Sequence, residues 1–288
     1  WFPDRRGMAT GLAIMGFGFA SAISGPAIKI LIDEVGVSST FYILGSIYFI
    51  IMFTAAQYLT NPPEGYMPER FSNAIASGKK KIKEDLVNIT RDEAVKTARF
   101  YGLWIMLFIN VTCGIAIISV ASPLLQEVIG ISALAAASAV GLMGIFNGAG
   151  RIIWASISDY LTRPFVFILF FITQIIAFYM LTTVTSILLF QILLYYIMMC
   201  YGGAFASIPA YIGDIFGTKE LGAIHGYILT AWALAGLVGP IIIAYVKDTT
   251  GSYTGTLYVF VGLFVVALIT SILMLANIKK IQSKQALV

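Results

Sequence analysis

The chain has 288 residues, 59% of them hydrophobic and 11% charged, with a formal net charge of +4 and a mean hydropathy of +0.90. A soluble globular domain carries about 25% charged residues, so the composition points to an all-α or β-barrel membrane protein instead. The basic excess sits mostly in one short segment, which reads as a topology signal and excludes a nucleic-acid surface; Cys113 and Cys200 stand alone in apolar stretches, which excludes a disulfide framework and a thiolate metal site.

The chain opens on Trp1, and Asp4-Arg5-Arg6 runs straight into an apolar segment with no signal peptide, so the sequence reads as a fragment of a longer protein. Eight stretches have the length and polarity of membrane-spanning helices: 8–30, 40–60, 100–122, 131–156, 164–182, 186–210, 221–245 and 256–277. They are too long and too free of charge for barrel strands. The expected fold is therefore an all-α membrane protein. No Asp or Glu falls inside any of the eight stretches.

The connection 61–98 differs from the others. It is long, polar and opens on prolines, where the other connections are short. It divides the chain into 1–60, 61–98 and 99–288: two spans, a cytoplasmic loop and six spans. Thr90 and Glu93 form a Thr-x-x-Glu capping box, which predicts a short helix leading into the third span. The run "KKKIK" at 79–83 reads as solvated or facing lipid headgroups. With the N-terminus placed in the cytoplasm, fifteen Lys and Arg residues lie on the cytoplasmic side, and Lys29 and Lys247 on the other. Both ends of the chain are then cytoplasmic, in a multi-pass protein of the plasma membrane. The sequons at Asn88 and Asn110 fall in a cytoplasmic loop and a span, so neither is read as a glycosylation site.

An internal repeat follows from the glycines. "GMATG" at 7–11 matches "GAIHG" at 222–226, and both spans end in Gly-Pro, at Gly25-Pro26 and Gly239-Pro240. The first and seventh spans are then counterparts. If 99–288 is one six-helix repeat, its counterpart begins about 115 residues before Trp1, and the parent has twelve spans of which eight are present.

Arg151 is the one charge set deep in a span. Asp159 marks the end of its helix, which puts Arg151 about 12 Å inside at 1.5 Å per residue. A buried arginine costs at least about 2.5–3.5 kcal/mol, and no carboxylate in the spans can offset it. The guanidinium fork matches a carboxylate, so Arg151 is the candidate substrate-binding residue. Asn147, one turn earlier on the same face, orients the guanidinium or touches substrate. Asp159 and Arg163 flank the loop that follows, where they can form a locking ion pair. Pro209 is placed to bend its span and serve gating. His225, the only histidine, is the one group whose ordinary pKa lies near neutrality, and so the candidate for proton coupling.

"SDYLTR" resembles the Ser-Asp-x-x-Gly-Arg loop motif of major facilitator proteins, with Thr162 where the family usually has glycine. "WFPDRRGMATGLAIMGFG", "RFYGLWIMLFINVTCGIAIIS" and "YGGAFASIPAYIGDIFGTKELGAIHG" resemble the oxalate/formate antiporter family, a relative of monocarboxylate transporters. The resemblance covers the whole chain as spans five to twelve of a major facilitator fold. It implies that Arg151 is the substrate-binding arginine of span eight and that Tyr201 and Phe205 belong to an aromatic cavity wall. It also implies that Trp232, in "LTAWALAG", stands where oxalate exchangers carry a second cation, a lysine. One arginine leaves one carboxylate of oxalate unpaired, which shifts the expectation to a monocarboxylate such as formate, lactate or pyruvate.

The expected function is secondary active transport of a small carboxylate anion by alternating access, coupled to exchange or to protons. An oxalate:formate exchanger and a non-transporting membrane sensor are the alternatives. No cofactor or metal is called for, and no cluster of acids, histidines or nucleophiles supports an enzyme. The expected partners are the carboxylate, the lipid bilayer and a coupled proton.

Overall fold

In the computed structural model the described residues are 1–63, 65–78 and 85–285, so the "KKKIK" run at 79–83 lies outside them. All regular structure among them is helical: α1 (Arg6–Ala56), α2 (Glu69–Ala76), α3 (Arg91–Ala94), α4 (Ala98–Ser119), α5 (Ala121–Ile129), α6 (Ala133–Tyr160), α7 (Arg163–Leu181), α8 (Ile187–Phe216), α9 (Leu221–Ile228), α10 (Thr230–Thr250) and α11 (Thr254–Gln285). Helices α9 and α10 join through Leu229, itself helical, into one span, Leu221–Thr250. Among the described residues, seven helices are long and apolar enough to cross a membrane, and the chain is a multi-pass membrane protein.

The expected eighth span is inside the first helix. α1 has 51 residues, about 75 Å at 1.5 Å per residue, against a hydrocarbon core of about 30 Å. The backbone leaves helical geometry at Gly36, with φ 80° and ψ 168°. This left-handed region is open to glycine because it has no Cβ. The two expected spans therefore meet at a single glycine rather than across a loop.

Two compact units result: residues 1–4 with 19–83, and residues 5–18 with 84–288. In the first, the Trp1 indole donates to the Thr60 carbonyl at 2.9 Å and packs on Tyr66. The second holds the candidate site. There α6 lies along α8, α4 lies between α10 and α11, and α7 packs on α11 and α8. The α7–α11 seam is aromatic: Phe178 meets Phe260 and Phe264 at ring separations of 5.6 and 5.3 Å. Tight α6–α8 packing comes from small residues; a Cβ on Gly202 or Gly150 would collide with the backbone carbonyls of Asn147 and Met199.

The predicted capping box is present. The Glu93 carboxylate accepts from the Thr90 backbone N–H and hydroxyl, each at 2.9 Å, and α3 follows. These bonds hold the Glu93 carboxyl below its ordinary pKa.

Candidate functional site

Arg151 is 2% exposed and does not snorkel to the helix end. Its Nε and Nη2 both donate to Asn147 Oδ1, at 3.3 and 3.1 Å. The one-turn spacing on α6 makes this possible. Asn147 Nδ2 in turn donates to the Met198 carbonyl of α8 at 3.2 Å, which fixes the amide and, through it, the guanidinium. Arg151 Nη1 donates to the Ile14 carbonyl of α1 at 3.4 Å, the longest of the three.

Aromatic rings complete the surroundings. The guanidinium carbon lies 5.0 Å from the Phe17 ring centroid and 5.2 Å from that of Phe205. Trp232 sits edge-on to both rings, at 6.3 Å from Phe17 and 6.1 Å from Phe205. The Tyr201 phenol is within interaction reach of Trp232 and of Arg151. Ring faces attract a guanidinium and, with two carbonyl-type acceptors, they partly replace its lost hydration. Among the described residues, no carboxylate oxygen lies within 4 Å of the guanidinium. A guanidinium has five N–H donors and the bonds above use three, so one on Nη1 and one on Nη2 have no acceptor among the described residues.

Five residues singled out in the sequence, Arg151, Asn147, Tyr201, Phe205 and Trp232, thus meet in one place. Two contributors had no signal of their own. Phe17 sits in "GFGF" among small residues, and the Ile14 group is a backbone carbonyl. The glycines of α1 carry the hint. A Cβ on Gly11 would lie 2.5 Å from the Arg151 carbonyl oxygen, and one on Gly18 would collide with the Cα of Gly148. The stripe that begins "GMATG" lets residues 7–18 of α1 lie flush on α6 beside the arginine.

A second polar cluster joins the ends of α1, α6, α7 and α8. Arg163 Nη2 donates to Asp159 Oδ1 at 2.6 Å, and its Nε to Asp214 Oδ2 at 3.2 Å; its Nη1 also donates to the Ser158 hydroxyl. The Arg163 and Asp159 side chains are 4% and 6% exposed. Asp159 also accepts from the backbone N–H groups of Gly7 and Met8, each at 2.8 Å. It therefore caps the first turn of α1, where orphan N–H groups and the helix dipole favour a negative charge. Arg6 Nη1 pairs with Asp85 at 2.5 Å and reaches Asp214 at 3.5 Å. The sequence pointed to Asp159 with Arg163; Asp214 and Arg6, 208 residues apart, have no local pattern that would join them.

Pro209 lies inside α8, and the helix continues through it to Phe216. His225, on α9, is partly buried; its carbonyl accepts from the Leu229 N–H at 2.9 Å, and its imidazole has no hydrogen bond or ion pair among the described residues. A third polar group lies deep in the second unit: Gln174 donates to Asn110 at 3.0 Å, and Asn110 to the Tyr201 carbonyl at 3.3 Å. No group of three or more His, Cys, Asp or Glu residues able to hold a metal occurs among the described residues.

The family model described as Major Facilitator Superfamily matches residues 1–240 and, in an overlapping window, 103–286. The chain belongs to the Major Facilitator Superfamily. Within it, the chain is 25% identical over 267 residues to the oxalate:formate antiporter of Oxalobacter formigenes, covering 92% of this chain and 61% of that protein. It is 24% identical over 241 residues to an uncharacterized MFS-type transporter, YhjX, of Escherichia coli (strain K12), covering 82% and 56%. It is 25% identical over 293 residues to a putative tartrate transporter of Agrobacterium vitis, covering 95% and 66%. The chain spans about three fifths of the length of the first two relatives. The resemblance read from the motifs agrees with these relatives.

Proposed function

We propose that the complete protein is a secondary active carrier of small carboxylate anions, working by alternating access, with Arg151 as the residue that binds the carboxylate. The observation that supports this most strongly is the charge of Arg151. It is almost fully buried, has no acid within 4 Å among the described residues, and keeps one donor on each terminal nitrogen. A carboxylate matches that terminal edge in the bidentate manner and supplies the missing negative charge. Asn147 orients the fork, and Tyr201, Phe205 and Trp232 wall the space beside it. The transporter names of the relatives support a carrier over an enzyme.

A single carboxylate is the favoured cargo. The position that resembles the second-cation site of oxalate exchangers is Trp232, an aromatic edge against Phe17 and Phe205. Exchange is favoured over proton symport. The polar neighbour of Arg151 is an amide rather than a titrating acid, and His225 has no polar partner among the described residues that would relay a proton. The Asp159–Arg163–Asp214 cluster steadies one conformation of the cycle, and Pro209 serves as a bending point in α8. In this reading the protein lies in the plasma membrane with both ends of the chain cytoplasmic. The last two helices of an N-terminal bundle precede the 61–98 loop, and the C-terminal bundle follows it.

The test is uptake of labelled carboxylate by liposomes containing the complete protein, with formate, lactate, pyruvate and oxalate as competitors. Monocarboxylates are expected to compete, and Arg151→Ala to abolish uptake in protein that still folds. The second reading, an oxalate:formate exchanger, draws on the name of the Oxalobacter relative. Dominant competition by oxalate would select it.

A further inference from the structure

Arg151 also fastens the first turns of α1, residues 6–18, to the rest of their unit. Resting on the carboxylate reading above, we propose that Ile14 and Phe17 form a latch on Arg151 in the substrate-free protein, and that an entering carboxylate releases it.

The geometry carries the argument in three steps. First, α1 is held against α6 at two levels. At residues 7 and 8 its backbone N–H groups are bonded to Asp159, both at 2.8 Å. One and a half to three turns further along, the Ile14 carbonyl and the Phe17 ring meet Arg151, at 3.4 and 5.0 Å. Between and beyond these levels, Gly11 and Gly18 bring the two backbones together. Residues 5–18 accordingly group with α6 and α8, although they are covalently continuous with the first unit.

Second, the Ile14 carbonyl is not a free acceptor. In helix α1 it already faces the N–H four residues on, and it shares its second lone pair with Arg151. Its bond to Nη1 is the longest Arg151 makes. A carboxylate on the Nη1–Nη2 edge takes the free N–H of each terminal nitrogen, and its stronger charge-assisted bonds draw the guanidinium toward it and away from the Ile14 carbonyl.

Third, neutralising the guanidinium weakens its pull on the Phe17 ring, because the cation–ring attraction depends on net charge. Both contacts from α1 therefore weaken together when the site fills. The Asn147 contact, made within α6, does not hold α1 and need not change. Ile14 and Phe17 act through Arg151 and are positioning residues. The consequence for a carrier is specific: the empty form is held by its own arginine and returns slowly, whereas the loaded form is free to move. Such a carrier favours exchange over net flux.

Two measurements test this on the complete protein. In the unaltered protein, hydrogen–deuterium exchange of the backbone across residues 10–18 is read with formate, lactate and oxalate in separate arms, each at a concentration that raises the melting temperature. A latch predicts faster exchange there, the reverse of ordinary ligand protection. Unchanged or slower exchange in the arm that stabilises the protein overturns the latch and leaves the carboxylate reading standing. Stabilisation in no arm overturns both. In liposomes, Phe17→Leu is expected to raise net efflux relative to exchange by about threefold or more. A merely structural role lowers both rates together, and an unchanged ratio in a variant that still exchanges contradicts the latch.

Discussion

Asn147 Oδ1 accepts from both Nε and Nη2 of Arg151, at 3.3 and 3.1 Å, from one turn away on the same helix. An amide at this position orients the cation and leaves its charge intact. An acid there would neutralise it, and the difference can be measured.

Asn147→Asp is expected to place an internal carboxylate on the guanidinium and to suppress binding of an external one at neutral pH. Protonating the new acid removes the competition, so carboxylate binding should recover as the pH falls. Binding isotherms of Asn147→Asp between neutral and acidic pH check this. Asn147→Leu, which removes the orienting acceptor and both of its bonds to the guanidinium without adding charge, should raise KM by about tenfold or more at all pH values.

The legibility of the site was uneven. Arg151 and Asn147 were readable because a lone charge about 12 Å inside an apolar helix demands a reason, and the residue one turn away on its face is its nearest neighbour. Trp232 and Phe205 were readable by resemblance. Phe17 and the Ile14 carbonyl were not, since an aromatic residue in a span is ordinary and a backbone carbonyl has no sequence signature. The eight apolar stretches were all legible. The junction at Gly36 was not, because the polar stretch around it reads as a loop, whereas one glycine suffices for the change of direction in φ and ψ.

Asp159→Asn tests the capping cluster. The substitution removes the charge that faces both Arg163 and the first turn of α1 and leaves a buried cation short of a partner. Breaking one side of such a buried pair costs about 3–5 kcal/mol. The melting temperature should fall clearly. A double-mutant cycle with Arg163→Leu should show that most of the loss is shared between the two residues.

Gly11→Ala tests the close approach of α1 and α6. The new Cβ would lie 2.5 Å from the Arg151 carbonyl oxygen, so backbone must shift, at about 1–3 kcal/mol. Gly262→Ala in α11 meets nothing within 4 Å and should be neutral or slightly stabilising. Thermal unfolding of the two variants in the same detergent gives the comparison.

The capping box sets a pH dependence outside the membrane. The Thr90 bonds lower the Glu93 pKa, so the stabilisation they give α3 is fully present above the ordinary carboxylate pKa of 4.5. It is lost as the pH falls through the lowered folded-state value. Backbone amide exchange at residues 91–94 should therefore quicken in acid, and Glu93→Gln should flatten that response.

Trp232→Lys tests the choice of cargo. A second cation beside Phe205 is expected to improve competition by oxalate relative to lactate, because it can pair the second carboxylate. The ratio of the two inhibition constants is the readout.

The most direct test of the central claim is equilibrium binding of labelled monocarboxylate to the purified complete protein and to its Arg151→Ala and Arg151→Lys variants, each first shown to keep its melting transition. The account predicts saturable binding that is lost in Arg151→Ala and weakened in Arg151→Lys, where the fork is replaced by a single point charge. An unchanged Kd in Arg151→Ala would contradict it.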